Sequence, residues 1–187
     1  QVALSMAAAT YMAASGIGTA ASIRIGNYLG QKNYVELRNA GIVSIWLTIA
    51  FMTITSLMFV IFRNMLPGLF SDDSQVIEIA AGLLIFAAVF QISDGIQACT
   101  QGCLRGIQDV TMPTIIVTIS YWVLGIPVGY LLSQVTSWSF YSIWVGLCSG
   151  LFFASTLLVI RFLKISKYEY LKARFESENP SSFTVGH

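Results

Sequence analysis

Charge is what this chain most lacks. Only 10% of its 187 residues are Asp, Glu, Lys or Arg, against about 25% in a soluble domain. So few charges leave the surface of a water-soluble globule of this size unwetted. Histidine is nearly absent too, and the one present, His187, is the last residue. The three cysteines, Cys99, Cys103 and Cys148, all fall in apolar segments. Their odd number and unpaired spacing exclude a disulfide framework. Cys99 and Cys103 stand four apart with no His or carboxylate cluster beside them, so they read as packing thiols. There is no DDxxD motif, no Gly-rich phosphate loop, no His-rich metal site and no nucleophile triad. The expectation is therefore a protein that is not an enzyme, needs no cofactor and takes no nucleic-acid partner. A basic n-region and a small-residue cleavage site are also missing ahead of the first apolar run, which excludes a signal peptide. Gln1 leads straight into apolar sequence, and the chain reads as cut from within a longer protein.

Apolar residues supply what charge does not. They make up 56% of the chain, and the mean hydropathy is +0.73. A helix of about 20 apolar residues crosses a bilayer, and only helices or closed barrels do so, because every backbone polar group needs an internal partner. The runs here are long and continuous, unlike the ten-residue alternation of barrel strands, so an all-α polytopic bundle is expected. Five spans are predicted, over about 2–29, 40–62, 77–103, 113–133 and 138–163. Residues 1–165 then form the transmembrane bundle, and 166–187 a polar tail that ends in a Ser-rich, disordered stretch from Glu176.

The few charges are unevenly placed. With five spans, one side of the membrane receives Arg24, Lys32, Arg38, Arg105, Arg161, Lys164, Lys167, Lys172 and Arg174, and the other only Arg63. The positive-inside rule puts the first side in the cytoplasm, with the C-terminus, and the Asp72–Asp73 loop outside. Trp122, Trp138 and Trp144 are candidates to anchor the membrane interfaces, while Trp46 sits deeper. Arg24 reads as snorkelling to the cytoplasmic interface.

Asp94 stands out because it lies deep inside the third span. A charge at the bilayer centre costs about 2.5–3.5 kcal/mol on insertion scales, and such a residue is a functional-site candidate by default. At 100° per residue, Gln91, Asp94, Gln97, Gln101 and Arg105 share about 120° of arc. An acid at depth and a base at the cytoplasmic end thus mark one polar stripe. A carboxylate there takes up a proton, holds a metal cation such as sodium, or pairs with an organic cation. The three compete for one charge, which is the simplest physical basis for cation-coupled antiport. The plainer alternative is that Asp94 only hydrogen-bonds a neighbouring helix.

Glycines form a second pattern. Gly26-xxx-Gly30, Gly102-xxx-Gly106, Gly125-xxx-Gly129 and Gly146-xxx-Gly150 all have the spacing that lets helices approach closely. Gly16, Gly18 and Pro127 mark candidate bends, which suit transporters that rock between states.

Four ordered segments resemble the multidrug and toxic compound extrusion (MATE) family. The first is Gly16–Ile17–Gly18–Thr19–Ala20–Ala21–Ser22–Ile23–Arg24–Ile25–Gly26–Asn27–Tyr28–Leu29–Gly30. Next comes Gln91-x-x-Asp94-x-x-Gln97, followed by Gly102–Cys103–Leu104–Arg105–Gly106, Asp109 and Pro113. Then Tyr121–Trp122 precedes Gly125–Ile126–Pro127, and Ile143–Trp144–Val145–Gly146–Leu147 closes the series. The resemblance implies helices eight to twelve of a twelve-helix transporter, most of its C-terminal lobe. It implies export of cationic or amphipathic compounds across the cytoplasmic (inner) cell membrane in exchange for sodium or protons. The partners it implies are a small-molecule substrate, the lipid bilayer and the missing N-terminal lobe of the same polypeptide.

It also implies that Asp94 matches the family's cation-coupling acid, with Gln91, Gln97 and Gln101 lining the cavity and Asp94 a candidate sodium ligand. Two departures matter. Phe90 stands where sodium-coupled relatives can have a tyrosine, and Ala14–Ser15 replaces a Pro-Leu found in many relatives. The competing readings are a lipid-linked precursor flippase of the same superfamily, a membrane enzyme, and a structural subunit without transport. One deep acid and no deep lysine argue against the flippase.

Overall fold

A computed structural model describes residues 2–63, 65, 74–135 and 139–177. The chain runs through α1 (Val2–Gly30), α2 (Tyr34–Ile61), α3 (Ser74–Gly106), α4 (Thr111–Ile119), a π-helical turn (Ser120–Gly125), α5 (Ile126–Val135), α6 (Ser139–Ile165) and α7 (Tyr168–Ser177). Because α4, the π turn and α5 follow without a break, they make one membrane-length rod. Each of the five expected spans is thus occupied by helix. The Asp72–Asp73 loop, Trp138 and the tail beyond Ser177 lie outside the described residues.

By length and composition, three of the described helical stretches suffice to cross a membrane: Tyr34–Ile61, Thr111–Gln134 and Trp144–Ile165. The helices α1 and α3 are long enough, at 29 and 33 residues, but more polar. The packing explains why. α3 is the central helix, flanked by α1, α2 and α6, and its longest interface is with α1. Small and polar residues serve there, whereas α2, the π turn, α5 and α6 turn large apolar side chains outward, among them Trp46, Leu57, Trp122, Leu131 and Phe152. Trp46 is 66% exposed and Trp122 69%. Side chains like these, unpaired and on the outside, belong in lipid.

Two glycine crossings fix the helix pairs. A Cβ at Gly102 would run into the Gly18 backbone, and one at Gly106 would sit 2.7 Å from the Ser22 carbonyl oxygen, so α1 and α3 touch backbone to backbone. A Cβ at Gly146 would lie 2.6 Å from both the Gly125 carbonyl oxygen and the Gly129 Cα, which ties α6 to the π turn and α5. Three of the four glycine pairs therefore work at crossings. Gly26-xxx-Gly30 does not: a Cβ at Gly26 would find only the Gly106 oxygen at 3.9 Å, and one at Gly30 nothing within 4 Å. Gly18 has a packing role as well. It sits inside an unbroken helix and serves the contact with α3.

The basic end of the bundle is pinned by backbone turns. Lys32 (φ 56°) and Gln108 (φ 63°) take the left-handed conformation. The Lys32 N–H donates to the Leu29 carbonyl at 3.0 Å and the Asn33 N–H to the Tyr28 carbonyl at 3.0 Å. The same pattern recurs after α3, where Gln108 donates to Arg105 at 3.0 Å and Asp109 to Leu104 at 2.9 Å. Both ends are Schellman caps, with a non-glycine residue in the position glycine usually fills. Asn33 then caps α2 by accepting from the Glu36 N–H at 3.3 Å. The short α7 folds back on this end. Its Leu171 is fully buried, and Tyr168 meets Tyr34 edge to face at 5.8 Å.

Candidate functional site

Asp94 is brought to its place by the middle of α3, the helix with neighbours on most sides. It opens into a cavity of about 250 Å³, shared with Phe90, Tyr121, Trp144, Leu147, Cys148 and Leu151. Its carboxylate is partly buried, and no hydrogen bond or ion pair ties it to another of the described residues. Among the described residues, Asp94 has no hydrogen bond of the kind the plainer alternative requires. An acid in this setting has capacity left for a proton or a cation from outside the protein.

The five residues of the predicted stripe do not share one surrounding. Gln91 turns away from Asp94 toward α1 and α2. Its Nε2 donates to the Met52 carbonyl at 3.3 Å and to the Thr55 hydroxyl at 3.1 Å, and its Oε1 accepts from Thr10 at 3.3 Å. Gln91 is therefore a buried helix tie outside the cavity lining. Gln97 lies beside Tyr121, with a buried Oε1 that no donor among the described residues reaches. Gln101 lines a second cavity of about 300 Å³, with Arg105, Asp109, Val110, Pro113 and Thr114. Seven residues of helix separate it from Asp94, a rise of about 10 Å. The stripe thus leads from the Asp94 cavity toward the basic end, with only its first member diverted. The divergence follows from the arc. Gln91 sits at one edge of the 120° sector, where α1 and α2 rather than α6 meet α3.

At the foot of the second cavity, Arg161 of α6 grips Asp109 with two hydrogen bonds, Nε to Oδ2 at 2.6 Å and a terminal nitrogen to Oδ1 at 3.0 Å. Asp109 is almost fully buried, its side chain 8% exposed against 25% for Arg161. This fork joins the turn after α3 to the end of α6.

Sequence reasoning missed the cavity walls. Tyr121, Trp144 and Cys148 reach Asp94 from other helices, which the periodicity of α3 alone does not reveal. Trp144 faces Phe90, ring centroids 5.9 Å apart, and lines the cavity. The available signal was Pro127. A proline has no N–H to give the carbonyl four residues back, and here the Ile126 N–H bonds the Tyr121 carbonyl five residues back instead. The resulting π turn carries Tyr121. Arg24 stacks on Tyr28 at 5.8 Å on an exposed face, away from both cavities.

Residues 1–131 match the model of the family described as MatE. Among curated proteins, the chain is 36% identical over 167 residues to "Probable multidrug resistance protein NorM" of Bacillus thuringiensis subsp. konkukian, covering 89% of this chain and 37% of that protein. It is also 36% identical over 167 residues to "Multidrug resistance protein NorM" of Burkholderia vietnamiensis, covering 87% of this chain and 36% of that one. Among solved structures it resembles the eukaryotic MATE transporter AtDTX14, with a TM-score of 0.84 and 22% identity, over 95% of this chain and 39% of that one. The chain thus spans little more than a third of the length of these proteins.

Proposed function

This chain belongs to the MatE family, and on that premise we propose that it is the C-terminal part of a multidrug efflux antiporter in which Asp94 is the exchange site. The observation that carries the reading is the Asp94 carboxylate itself: inside a membrane-spanning helix, beside a cavity, and without a bond to another described residue. Protons or sodium entering from outside and a cationic or amphipathic compound leaving the cell compete for that one charge. The "multidrug resistance" in the relatives' names supports this class of substrate. Aromatic walls from Phe90, Tyr121 and Trp144 suit a flat organic cation, whose charge they attract through the ring face. Among the described residues, no lysine or arginine lines the cavity, which disfavours the flippase alternative. The basic end faces the cytoplasm, in keeping with the charge bias. Transport by alternating access requires the other lobe, which moves against this one around a shared site.

The test is ethidium efflux from cells carrying the full-length protein, wild type against Asp94→Asn, with sodium and pH varied separately. The reading predicts export by the wild type and none by Asp94→Asn at equal expression. Equal export by both would make Asp94 structural.

A further inference from the structure

The cavity beside Asp94 is short of oxygen. Of the described side chains that line it, only Asp94 and Tyr121 bear one; the others are two aromatic rings, two leucines and the Cys148 thiol. A hard cation such as sodium gives up its water only for oxygen ligands, and a proton shared at a carboxyl is held best when a second oxygen meets it. The one hydroxyl among its described lining residues, that of Tyr121, is therefore the natural companion of the carboxylate. It also comes from a different element. Asp94 rides on α3, while Tyr121 rides on the π turn.

That turn is a local departure with a visible cause. Pro127 withholds an N–H, the Ile126 N–H reaches back to the Tyr121 carbonyl, and one residue more than usual is wound into the turn. The winding sets the phase between two demands on the same rod. Gly125 and Gly129 must face α6, where Gly146 admits no Cβ, while Tyr121 faces Asp94. Beside Tyr121, the buried Gln97 Oε1 adds an acceptor with no donor among the described residues. A buried acceptor left open calls for an explanation, and a cation or proton donor held nearby supplies one.

We propose that the Tyr121 hydroxyl is the second oxygen of the exchange site, holding the ion together with Asp94. The ion then bridges α3 and the π turn, so its arrival and departure change how firmly these two elements are joined. This inference rests on the reading of Asp94 as the exchange site. Tyr121→Phe removes one oxygen and keeps the ring, the packing and the helix.

The experiment uses the full-length protein in proteoliposomes, with ethidium as the transported probe. Initial rates are measured against sodium concentration at fixed pH, and against pH at fixed sodium. Tyr121→Phe is expected to need about ten times more of the driving ion for half-maximal rate. At saturating ion its rate recovers toward that of wild type, and the arm that shifts names the ion. An unchanged ion requirement in Tyr121→Phe overturns the inference, as does a fall in maximal rate alone, which a merely structural tyrosine would produce. Asp94→Asn separates the two claims. If it is inactive while Tyr121→Phe matches wild type, only the role of Tyr121 falls. If it transports like wild type, or if the wild type itself shows no ion-driven transport, the reading of Asp94 falls and takes this one with it.

Discussion

Two side chains one turn apart on α3 show how differently a buried polar group can be used. Gln91 makes hydrogen bonds with Thr10, Met52 and Thr55, and its amide is used up in holding α1, α2 and α3 together. Asp94 has no such partner among the described residues. Gln91→Leu should therefore lower thermal stability by about 1–2 kcal/mol, since hydrogen bonds within membranes are individually modest. It should leave the ion requirement for transport unchanged, as a melting curve and a sodium and pH titration of the same sample would show. The Asp109–Arg161 fork invites an asymmetric prediction. Arg161→Ala leaves a buried carboxylate alone and should cost about 3 kcal/mol. Asp109→Ala leaves an arginine already a quarter exposed, free to turn to water, and should cost less. Equal losses in the two melting curves would contradict this. At this scale the sequence was half legible. Depth and spacing singled out Asp94, but the 120° sector of the helix did not say which edge met which neighbour. Gln91, at one edge, therefore went to α1 and α2, while Gln101 lies beyond the Asp94 cavity by the rise of seven residues.

Among the elements, the glycine pairs are sorted by geometry. Gly102→Ala puts a methyl group into the Gly18 backbone, and helices that meet this closely have no side chain to move aside. A loss of about 1–3 kcal/mol is expected from such overpacking. Gly26→Ala finds only ordinary contact at 3.9 Å. It should be neutral or stabilising, because Ala favours helix over Gly by up to about 1 kcal/mol. Melting temperatures of the two variants test the contrast. The two Schellman caps offer a gain instead. Lys32→Gly and Gln108→Gly each relieve a left-handed non-glycine residue and should stabilise by about 0.5–1 kcal/mol. The existence of each span was legible, because a long apolar run has few physical alternatives. The π turn was not. Pro127 announces a disturbance, but its form depends on what α6 demands of Gly125 and Gly129. The short α7 escaped notice because its helix is held by tertiary contacts of Leu171 and Tyr168 rather than by an apolar run.

For the whole molecule, the bundle reads as one half of a machine. α3 carries a polar stripe from the Asp94 cavity to a second cavity at the basic end, while α2, α5 and α6 turn apolar surface outward. On α1, Gly16, Thr19, Ala20 and Asn27 stay exposed on one face with the apolar Met12 and Ile23. The chain spans 37% of the length of its Bacillus relative. The resemblance of four ordered motifs carried the fold this far from sequence alone. The substrate and the ion stayed out of reach, because a lone carboxylate serves a proton, a metal cation and an organic cation alike.

The central claim is that ion and substrate contend for one carboxylate, and it is tested most directly at equilibrium. Ethidium binding to the purified full-length protein would be titrated at several sodium concentrations and, separately, at several pH values. The account predicts that one of the two ions raises the apparent Kd in proportion to its concentration without changing the number of sites, and that Asp94→Asn erases this dependence. Ethidium binding indifferent to both ions, or equally sensitive to them in Asp94→Asn, would contradict it.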